Sequence, residues 1–491
     1  MKWRILILSA ISLFFTACQV QENIQDGQTA YKLKKYKLAA ELLQKDFNKA
    51  ELPDEKSKIA FQIGESYANN NNYENAGEWY FKAYDLGYES EAILQYALML
   101  KAQEKYEEAL KEFEKYLLEE PYRRPEMTLE MDACKNGIAW KQRQENEYER
   151  DTYVTEITTL NSGDADFNPV IYQGDKLIFT SSRDMSTGEN NDSWTGDKYY
   201  DLYVANIKDV TSFSAPELFK GPFNAAYNDG TLAFNKDYSE VYFTRCGSDD
   251  RKVDDYCGIY VSNYLPDGGW SEPVALPFFD DTMNIGTPCL SLDGNTLFFA
   301  ATNPDGYGGA DIYMSRRTES GWDAAYNAGQ VINTSGNEVF PYFDSEGVMY
   351  FSSDKHPGLG GLDIFSATWK NNKFSNIKNM EYPINSGADD FGLILLDKKQ
   401  FINSDTLNAG YFSSNRKGGM GDDDMYFFAK TTKKLRPPVF VLKGTVLEKV
   451  YLDSLDVNST VLDTIPLDKS IATLSYPNEQ TLLGKWNIGD E

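Results

Sequence analysis

The sequence predicts a multidomain protein: an all-α array of helix pairs, then an all-β propeller of about five blades, then a short, incomplete β-sandwich-like segment. Two internal repeats and one change of composition lead to this prediction. A helical pattern repeats between residues 24 and 150, and a hairpin pattern repeats five times between residues 161 and 430. Such units bury their apolar faces against one another. We expect four segments with the bounds 1–17, 18–150, 151–432 and 433–491.

Composition and charge exclude several classes of function. Lys and Arg number 48 against 75 Asp and Glu, a formal net charge of −27, so nucleic acid would meet a surface of its own sign. We expect no nucleic-acid partner. Hydrophobic residues at 41% exclude a disordered chain. His356 is the single histidine, so a metal site built on a histidine pair is excluded.

Segment 1–17 has the pattern of an export signal. Lys2 and Arg4 precede the apolar run Ile5–Phe15, which is too short to span a bilayer as a helix, since about 20 residues are needed. Small residues then lead to Cys18. This arrangement resembles a bacterial lipobox, although Phe15 stands where that motif usually has Leu. The resemblance implies cleavage before Cys18 and lipidation of this residue; a soluble exported protein cut nearby is the alternative.

The residue after the cysteine bears on location. Gln19 is not the Asp that typically retains such lipoproteins in the inner membrane. We therefore expect a protein anchored to the outer membrane by acyl chains and facing the periplasm.

The array is predicted from a repeat of small, aromatic and bulky residues. Small residues at Gly27, Gly64 and Ala97 each precede an alanine by 12 positions. The alanines, the tyrosines three residues before them and the bulky residues four residues after them are Ala39, Ala76, Ala109, Tyr36, Tyr73, Tyr106, Leu43, Tyr80 and Phe113. This pattern resembles the tetratricopeptide (TPR) repeat, which implies a protein-binding or spacing surface. A plain helical bundle is the alternative. A charged helix over residues 126–150 is expected to cap the array.

The propeller is predicted from five hairpin units. Their first strands end in aromatic-led runs that start at Phe179, Phe243, Phe299, Phe351 and Phe412. A turn and a second strand follow each run, and one asparagine opens each unit: Asn161, Asn224, Asn284, Asn333 and Asn385. Radial repetition of such units gives a propeller. The hairpins resemble the TolB-type, WD-like propeller repeat, whose members usually serve as docking platforms.

The number of blades and the closure of the ring follow from the same pattern. Tyr153–Asn161 resembles the end of a unit although no unit precedes it. We expect this run to supply the last strand of blade five. Six blades remain the alternative, if a degenerate unit is present.

The cysteines predict one disulfide. Cys246 ends the first strand of unit two and Cys257 begins the second, so hairpin pairing would bring them together in an oxidising compartment. Cys134 and Cys289 are expected to be ordinary buried thiols.

The remaining polar motifs predict no catalytic, cofactor-binding or metal-binding residues. The runs Asp389-Asp390 and Asp422-Asp423-Asp424 lack the alternating acidic loop of an EF-hand, so we interpret them as turns and a strand start. Gly358–Gly361 is a turn between strands without the following helix that phosphate binding requires. His356 lies in the same loop and is expected to be structural.

The C-terminal segment follows a linker at Lys434–Pro438, and its opening resembles a carboxypeptidase regulatory-like sandwich. This order of segments resembles the PorE-type periplasmic lipoproteins associated with type IX secretion and gliding. The resemblance implies a non-enzymatic docking scaffold that contacts other envelope proteins through the array and the propeller. Peptidoglycan binding would need a domain beyond residue 491. The alternatives are a glycan- or small-ligand-binding propeller and, less favoured, a hydrolase.

Overall fold

The computed structural model describes residues 24–184, 186–187, 198–247, 256–278, 283–397, 405–432, 447–456, 458–466, 470–475 and 482–488. The expected signal segment, Cys18 and the linker at Lys434–Pro438 lie outside these residues. The described residues up to Thr432 belong to one compact unit, and those from Leu447 onward belong to a second.

The first part of the large unit is helical. Helix starts are marked by caps: the Asp26 carboxylate accepts the Thr29 N–H at 2.8 Å, and Pro53 occupies the first position of its helix. The helices are α1 (Gly27–Lys32), α2 (Tyr36–Lys49), α3 (Pro53–Ala68), α4 (Tyr73–Asp85), α5 (Glu91–Ala102), α6 (Tyr106–Glu119) and α7 (Arg124–Glu145). A 3-10 turn at Pro121–Arg123 precedes α7.

The repeated small residues explain how the helices pair. A Cβ atom at Gly64 would lie 2.8 Å from the Tyr80 ring, and one at Gly27 would lie 2.7 Å from Leu43. In these two helix pairs, the small residue of the first helix thus packs against the bulky residue of the second helix. The predicted helical region is confirmed, with α7 where a capping helix was expected. Its identity as a TPR array stays a prediction.

Five antiparallel sheets follow, and the innermost strand of each lies at the ring axis. We number them as blades one to five. Blades one and two contain β2 (Asp166–Tyr172), β3 (Lys176–Ser181), β4 (Asp201–Asp209), β5 (Ser212–Phe213) and β6 (Glu217–Leu218), then β7 (Asn228–Phe234), β8 (Glu240–Cys246), β9 (Cys257–Asn263) and β10 (Val274–Ala275). Blade three contains β11 (Ile285–Leu290), β12 (Thr296–Thr302), β13 (Ala310–Thr318), β14 (Gly321–Trp322) and β15 (Tyr326–Asn327).

Blades four and five complete the ring. They contain β16 (Glu338–Phe343), β17 (Val348–Ser353), β18 (Asp363–Lys370) and β19 (Lys373–Asn379), then β20 (Asp390–Leu395), β21 (Thr406–Ser414) and β22 (Asp424–Thr431). The outer strand of blade five is β1 (Thr152–Glu156), which pairs with β22 so that Thr152 lies opposite Lys430. The predicted closure is confirmed, and the ring closes with five blades.

The second unit contains two antiparallel hairpins in the part of the chain that the structure describes. They pair β23 (Leu447–Tyr451) with β24 (Val461–Pro466), and β25 (Ser470–Ser475) with β26 (Leu482–Ile488). The regulatory-like sandwich stays a prediction. Among the described residues, no helix combines the length and apolar character that crossing a bilayer requires.

Candidate functional site

The asparagines that open the units tie each blade to the one before it. The Asn333 side chain accepts the Ile312 N–H at 2.8 Å and donates to the Ile312 carbonyl at 2.9 Å, and Asn385 does the same at Ile364. Asn224 binds Leu202 in this way. Asn284 departs from the pattern and accepts the Cys257 N–H at 2.9 Å. These asparagines therefore join blades.

In blades one, two and five, a buried acid at the start of the inner strand is held by an arginine. Arg245 Nε donates to Asp229 at 2.5 Å, and Arg416 Nη2 donates to Asp390 at 2.5 Å; an equivalent pair joins Arg183 and Asp166. The guanidinium groups also lie over aromatic rings of their own blades. Burial raises the pKa of Asp229 to about 7, against the opposing effect of Arg245. The pairs fix the loops above the strands.

His356 takes the place of the arginine in blade four. Its Nε2 lies 2.7 Å from the Ile332 carbonyl oxygen, and its ring packs against Phe351 and Phe365. The neighbouring acid Glu338 accepts from Ser353 at 2.7 Å, and burial raises the pKa of Glu338. The histidine thus belongs to the repeated cation position of the blades.

The axis of the ring encloses a cavity of about 280 Å³. One residue of every inner strand has a left-handed backbone at a β-bulge, and these residues are Asn168, Thr231, Thr287, Phe340 and Gly392. Such a backbone is rare for threonine and for bulky side chains, so neighbouring groups must hold it. Hydroxyls of adjacent blades accept four of the freed N–H groups: Ser413 from Asn168, Thr180 from Thr231, Thr244 from Thr287 and Thr287 from Phe340.

Polar and apolar surface line the cavity in about equal measure, and the lining includes three prolines that follow the left-handed residues. Aromatic rings converge beside it: Phe340 lies 4.7 Å from Phe391, and Phe167 lies 5.9 Å from Phe391, between ring centroids. Cys289 lines the cavity, and burial raises the pKa of its thiol to about 12. Cys134 and Cys289 are buried and unpaired, as the sequence predicted.

The helical array packs directly on the propeller. Leu359, from the loop between β17 and β18, is 0% exposed and lies in the apolar core of the array with Tyr106 and Cys134. Gly137 of α7 makes room, because a Cβ atom there would lie 2.7 Å from the Tyr106 ring and 3.1 Å from Leu359. One propeller side chain is therefore part of a helical core.

Polar contacts surround this apolar insertion. The Gly387 N–H donates to Glu104 Oε1 at 3.1 Å, and Lys141 holds the other oxygen of Glu104 at 2.5 Å. Arg143 of α7 pairs with Glu381 of the propeller at 2.6 Å. Together these contacts and Leu359 make the array and the ring one unit, which we call the array–propeller junction.

A second cavity, of about 230 Å³, lies at the array–propeller junction. Its lining includes Lys101, which is buried and pairs with Glu130 at 2.7 Å, and Met127 of α7. Behind the lining glycine Gly360, Asp363 is buried and accepts the Gly360 N–H at 2.9 Å, whereas its Oδ1 has no hydrogen-bond partner among the described residues. Burial raises the pKa of Asp363 to about 7.

The structure places the other candidate residues in separate structural roles. Cys246 and Cys257 lie opposite each other in β8 and β9 and are joined by a disulfide. Asp389 accepts the Leu362 N–H at 2.7 Å, and Asp424 accepts the Gly421 N–H at 3.1 Å. Within the described ranges, no group of His, Cys, Asp and Glu side chains is arranged to hold a metal ion.

The comparisons with known proteins leave the function open. No family model matches the chain, and no curated protein matches it. Among solved structures, 160 chains match. A glycoside hydrolase is 10% identical, with 62% of this chain and 98% of that chain covered and a TM-score of 0.39. The α-L-arabinofuranosidase PaAbf62A from Podospora anserina is 11% identical, with 56% and 92% covered and a TM-score of 0.35.

A third similar structure is a putative TolB from Agrobacterium tumefaciens. It is 11% identical, with 57% of this chain and 98% of that chain covered and a TM-score of 0.33. All three TM-scores lie below 0.5, so these similarities carry no argument about function. The strand pairing itself establishes the five-bladed ring.

Proposed function

We propose that the protein is a non-enzymatic docking scaffold in which the array and the propeller act as one rigid body. The observation that carries this proposal is the burial of Leu359 in the helical core, surrounded by the Glu104–Gly387 and Arg143–Glu381 contacts. A fixed relation between two repeat modules presents one continuous surface to partners. A flexible linker would instead let each module bind independently.

The proposed setting is the periplasmic face of the outer membrane, with Cys18 as the lipid anchor. The order of segments supports a component of type IX secretion or gliding machinery, or its link to the cell wall. Tethering raises the effective concentration of each module near its partners, so several modest contacts reinforce one another.

We also propose that the protein catalyses no reaction. This proposal is supported by the commitment of two buried acid–arginine pairs: Arg245 and Arg416 neutralise Asp229 and Asp390 while bonding backbone carbonyls of the blade loops. Groups that hold loops in this way are not available as acid, base or nucleophile. Turnover of peptides or glycans by the pure protein would contradict it.

The experiment is crosslinking in intact envelopes, followed by affinity purification of the full chain. Wild type is expected to recover secretion, gliding or wall components. Leu359→Asp places a charge in the helical core and is expected to lose partners that touch both modules, whereas Leu292→Asp changes an exposed side chain on a turn of blade three and is the matched control. Recovery of none of these components by wild type would overturn the proposal. Cys18→Ser tests the anchor through loss of lipid labelling.

A second candidate function is binding of a glycan or another small ligand in the axial cavity. The Phe340 ring in the wall of a cavity of about 280 Å³ favours it, because an aromatic ring supplies a stacking surface. Calorimetric titration with oligosaccharides tests it. Binding that Phe340→Ala removes would support the candidate, and no heat with any compound would dismiss it.

A further inference from the structure

The loop that carries Leu359 has two counterparts in the ring. In blades three, four and five, the connection between the second and third strands places an apolar residue among glycines. The three segments are Gly306-Tyr307-Gly308-Gly309, Gly358-Leu359-Gly360-Gly361 and Gly419-Met420-Gly421-Asp422. The sequence shows this pattern directly, but it does not show what each apolar residue contacts.

Hydrogen bonds of the same kind, although from different donor positions, hold the loops of blades three and four. A buried Asp at the start of the following strand accepts from the loop: Asp311 from Tyr307 at 2.6 Å, and Asp363 from Gly360 at 2.9 Å. The last glycine of each loop donates to the next blade, Gly309 to Gly336 at 2.7 Å and Gly361 to Ala388 at 3.3 Å. The two apolar side chains therefore stand at equivalent places on neighbouring blades.

Glycine is required at the close contact. A Cβ atom at Gly360 would overlap the Ala388 carbonyl oxygen, and one at Gly308 would overlap the Gly336 carbonyl oxygen. Both loops are thus built to lie tightly on the next blade and to project the residue before the glycine. That residue is Leu359 in one case and Tyr307 in the other.

Only one of the two is covered. Leu359 is 0% exposed because the array receives it, whereas Tyr307 is 51% exposed. The surface of the array that receives Leu359 of blade four has three parts. They are an apolar groove between α6 and α7, a small residue at the contact (Gly137), and a carboxylate (Glu104) that accepts the Gly387 N–H.

The propeller group that donates to the third of these parts, the Gly387 N–H, has a counterpart beside Tyr307. Ser386 and Thr334 stand at the same place, since each donates its N–H to the acid four residues later. Ser335 therefore corresponds to Gly387, and it is exposed. A partner carboxylate could approach it as Glu104 approaches Gly387.

The surface around Tyr307 is continuous with the array–propeller junction. Asp354 accepts the Asn337 N–H at 2.7 Å, and a Cβ atom at Gly336 would lie 2.6 Å from Lys355. Asp354 and Lys355 in turn line the cavity of about 230 Å³ beside Met127 of α7. Lys355 is exposed and places a positive charge at this edge.

We propose that Tyr307, Ser335 and Lys355 form a docking site for a helix pair of another protein, with a small residue facing Tyr307 and a carboxylate at its turn. The site repeats the contact that the chain makes with its own α6 and α7, and the charge of Lys355 complements the carboxylate. A second copy of this chain is not the occupant, because its own groove is filled by Leu359. This inference rests on the proposed scaffold function.

The test places the photo-crosslinker p-benzoylphenylalanine at Tyr307 in the full chain inside intact cells. Leu292, which is 51% exposed on a turn of the same blade, is the control position, and Leu52, 66% exposed on the array, reports docking elsewhere. The expected crosslink maps to a helix pair with Gly, Ala or Ser at the crosslinked position and Asp or Glu at the turn. A crosslink to a strand or a loop, to a second copy, or no product beyond that of Leu292 would overturn the inference.

The outcomes separate this inference from the function on which it rests. Products at Leu52 without products at Tyr307 would remove the docking site and leave the scaffold standing, whereas no products at any position would count against both. With the identified partner purified, Tyr307→Ser is expected to weaken binding at least about tenfold, and Leu292→Ser to leave it unchanged. Equal affinity of the two variants would overturn the proposed site.

Discussion

Asn161 closes the ring by binding Met425, which lies 264 positions further along the chain. Its side chain accepts the Met425 N–H at 2.9 Å and donates to the Met425 carbonyl at 3.2 Å. The strand just before it, β1, pairs with β22 in the same blade. The two ends of the propeller are thus joined by a strand and by the same asparagine contact that joins other blades.

Replacing Asn161 should loosen the closure. Asn161→Ala leaves the Met425 N–H and carbonyl without these partners in a buried site, so we expect a loss of about 1–3 kcal/mol in the free energy of unfolding. Hydrogen exchange of residues 152–156 should become faster. Asn333→Ala removes an equivalent contact between blades three and four. If both variants left residues 152–156 equally protected, the closing role of Asn161 would be wrong.

Arg416 neutralises an acid that is fully buried. Arg416→Met leaves the Asp390 carboxylate without its cation, and we expect a loss of about 3–5 kcal/mol, measured by urea unfolding. Asp390→Asn in the same chain should restore part of this loss. Lys135→Met, which breaks an exposed pair with Asp132, is the control and should change stability by less than about 1 kcal/mol. No recovery in the double variant would contradict the assignment.

Asp363 should make stability depend on pH. Burial raises its pKa to about 7 in the folded chain, whereas an unfolded Asp titrates near about 3.9. The folded state therefore holds the proton more tightly, so this stabilisation is complete below about pH 4 and is lost as the pH rises through 7. The full effect is at most about 4 kcal/mol.

The measurement is the free energy of unfolding between pH 4 and 8. Asp363→Asn keeps an acceptor for the Gly360 N–H and should flatten the decline. Asp305→Asn, in an exposed turn, should leave it unchanged. An Asp363→Asn curve that declines as steeply as the wild-type curve would contradict the role of Asp363, because other buried acids such as Asp229 would then account for the decline.

The disulfide should stabilise blade two. Cys246 and Cys257 are separated by 11 positions, and closing so short a loop is worth about 3 kcal/mol in the chain-entropy account. Replacing both by Ser should lower the midpoint of thermal unfolding. Mass spectrometry without reductant should show the two cysteines in one linked peptide pair. Free thiols at both positions in protein purified from an oxidising compartment would contradict the pairing.

The repeated parts of the fold were predictable because each position appears several times in the sequence. Gly64 and Tyr80 mark a helix pair, and the asparagine that opens each hairpin unit marks a blade. The sequence showed where these asparagines recur but not what they bind. The side-chain amide of Asn333 bonds both backbone groups of Ile312, and spacing alone does not reveal this contact. The closing strand was predictable since one unit end had no unit before it.

The array–propeller junction was not predicted, because it occurs once. In the sequence, Leu359 is an apolar residue in a glycine-rich turn. Only the fold shows that Tyr106 and Gly137 surround it. The glycine pattern around Leu359 marks the loop that enters the array, but the same pattern surrounds Tyr307, which is exposed. A local sequence cannot distinguish a covered loop from an uncovered one.

The most direct test of the account is the distance between the array and the propeller in solution. Spin labels at Leu52→Cys and Leu292→Cys, both exposed positions, report this distance by electron–electron double resonance. We predict one narrow distribution for the wild-type junction and a broad one after Leu359→Asp. A broad distribution with Leu359 intact would contradict the claim that the two modules form one rigid body.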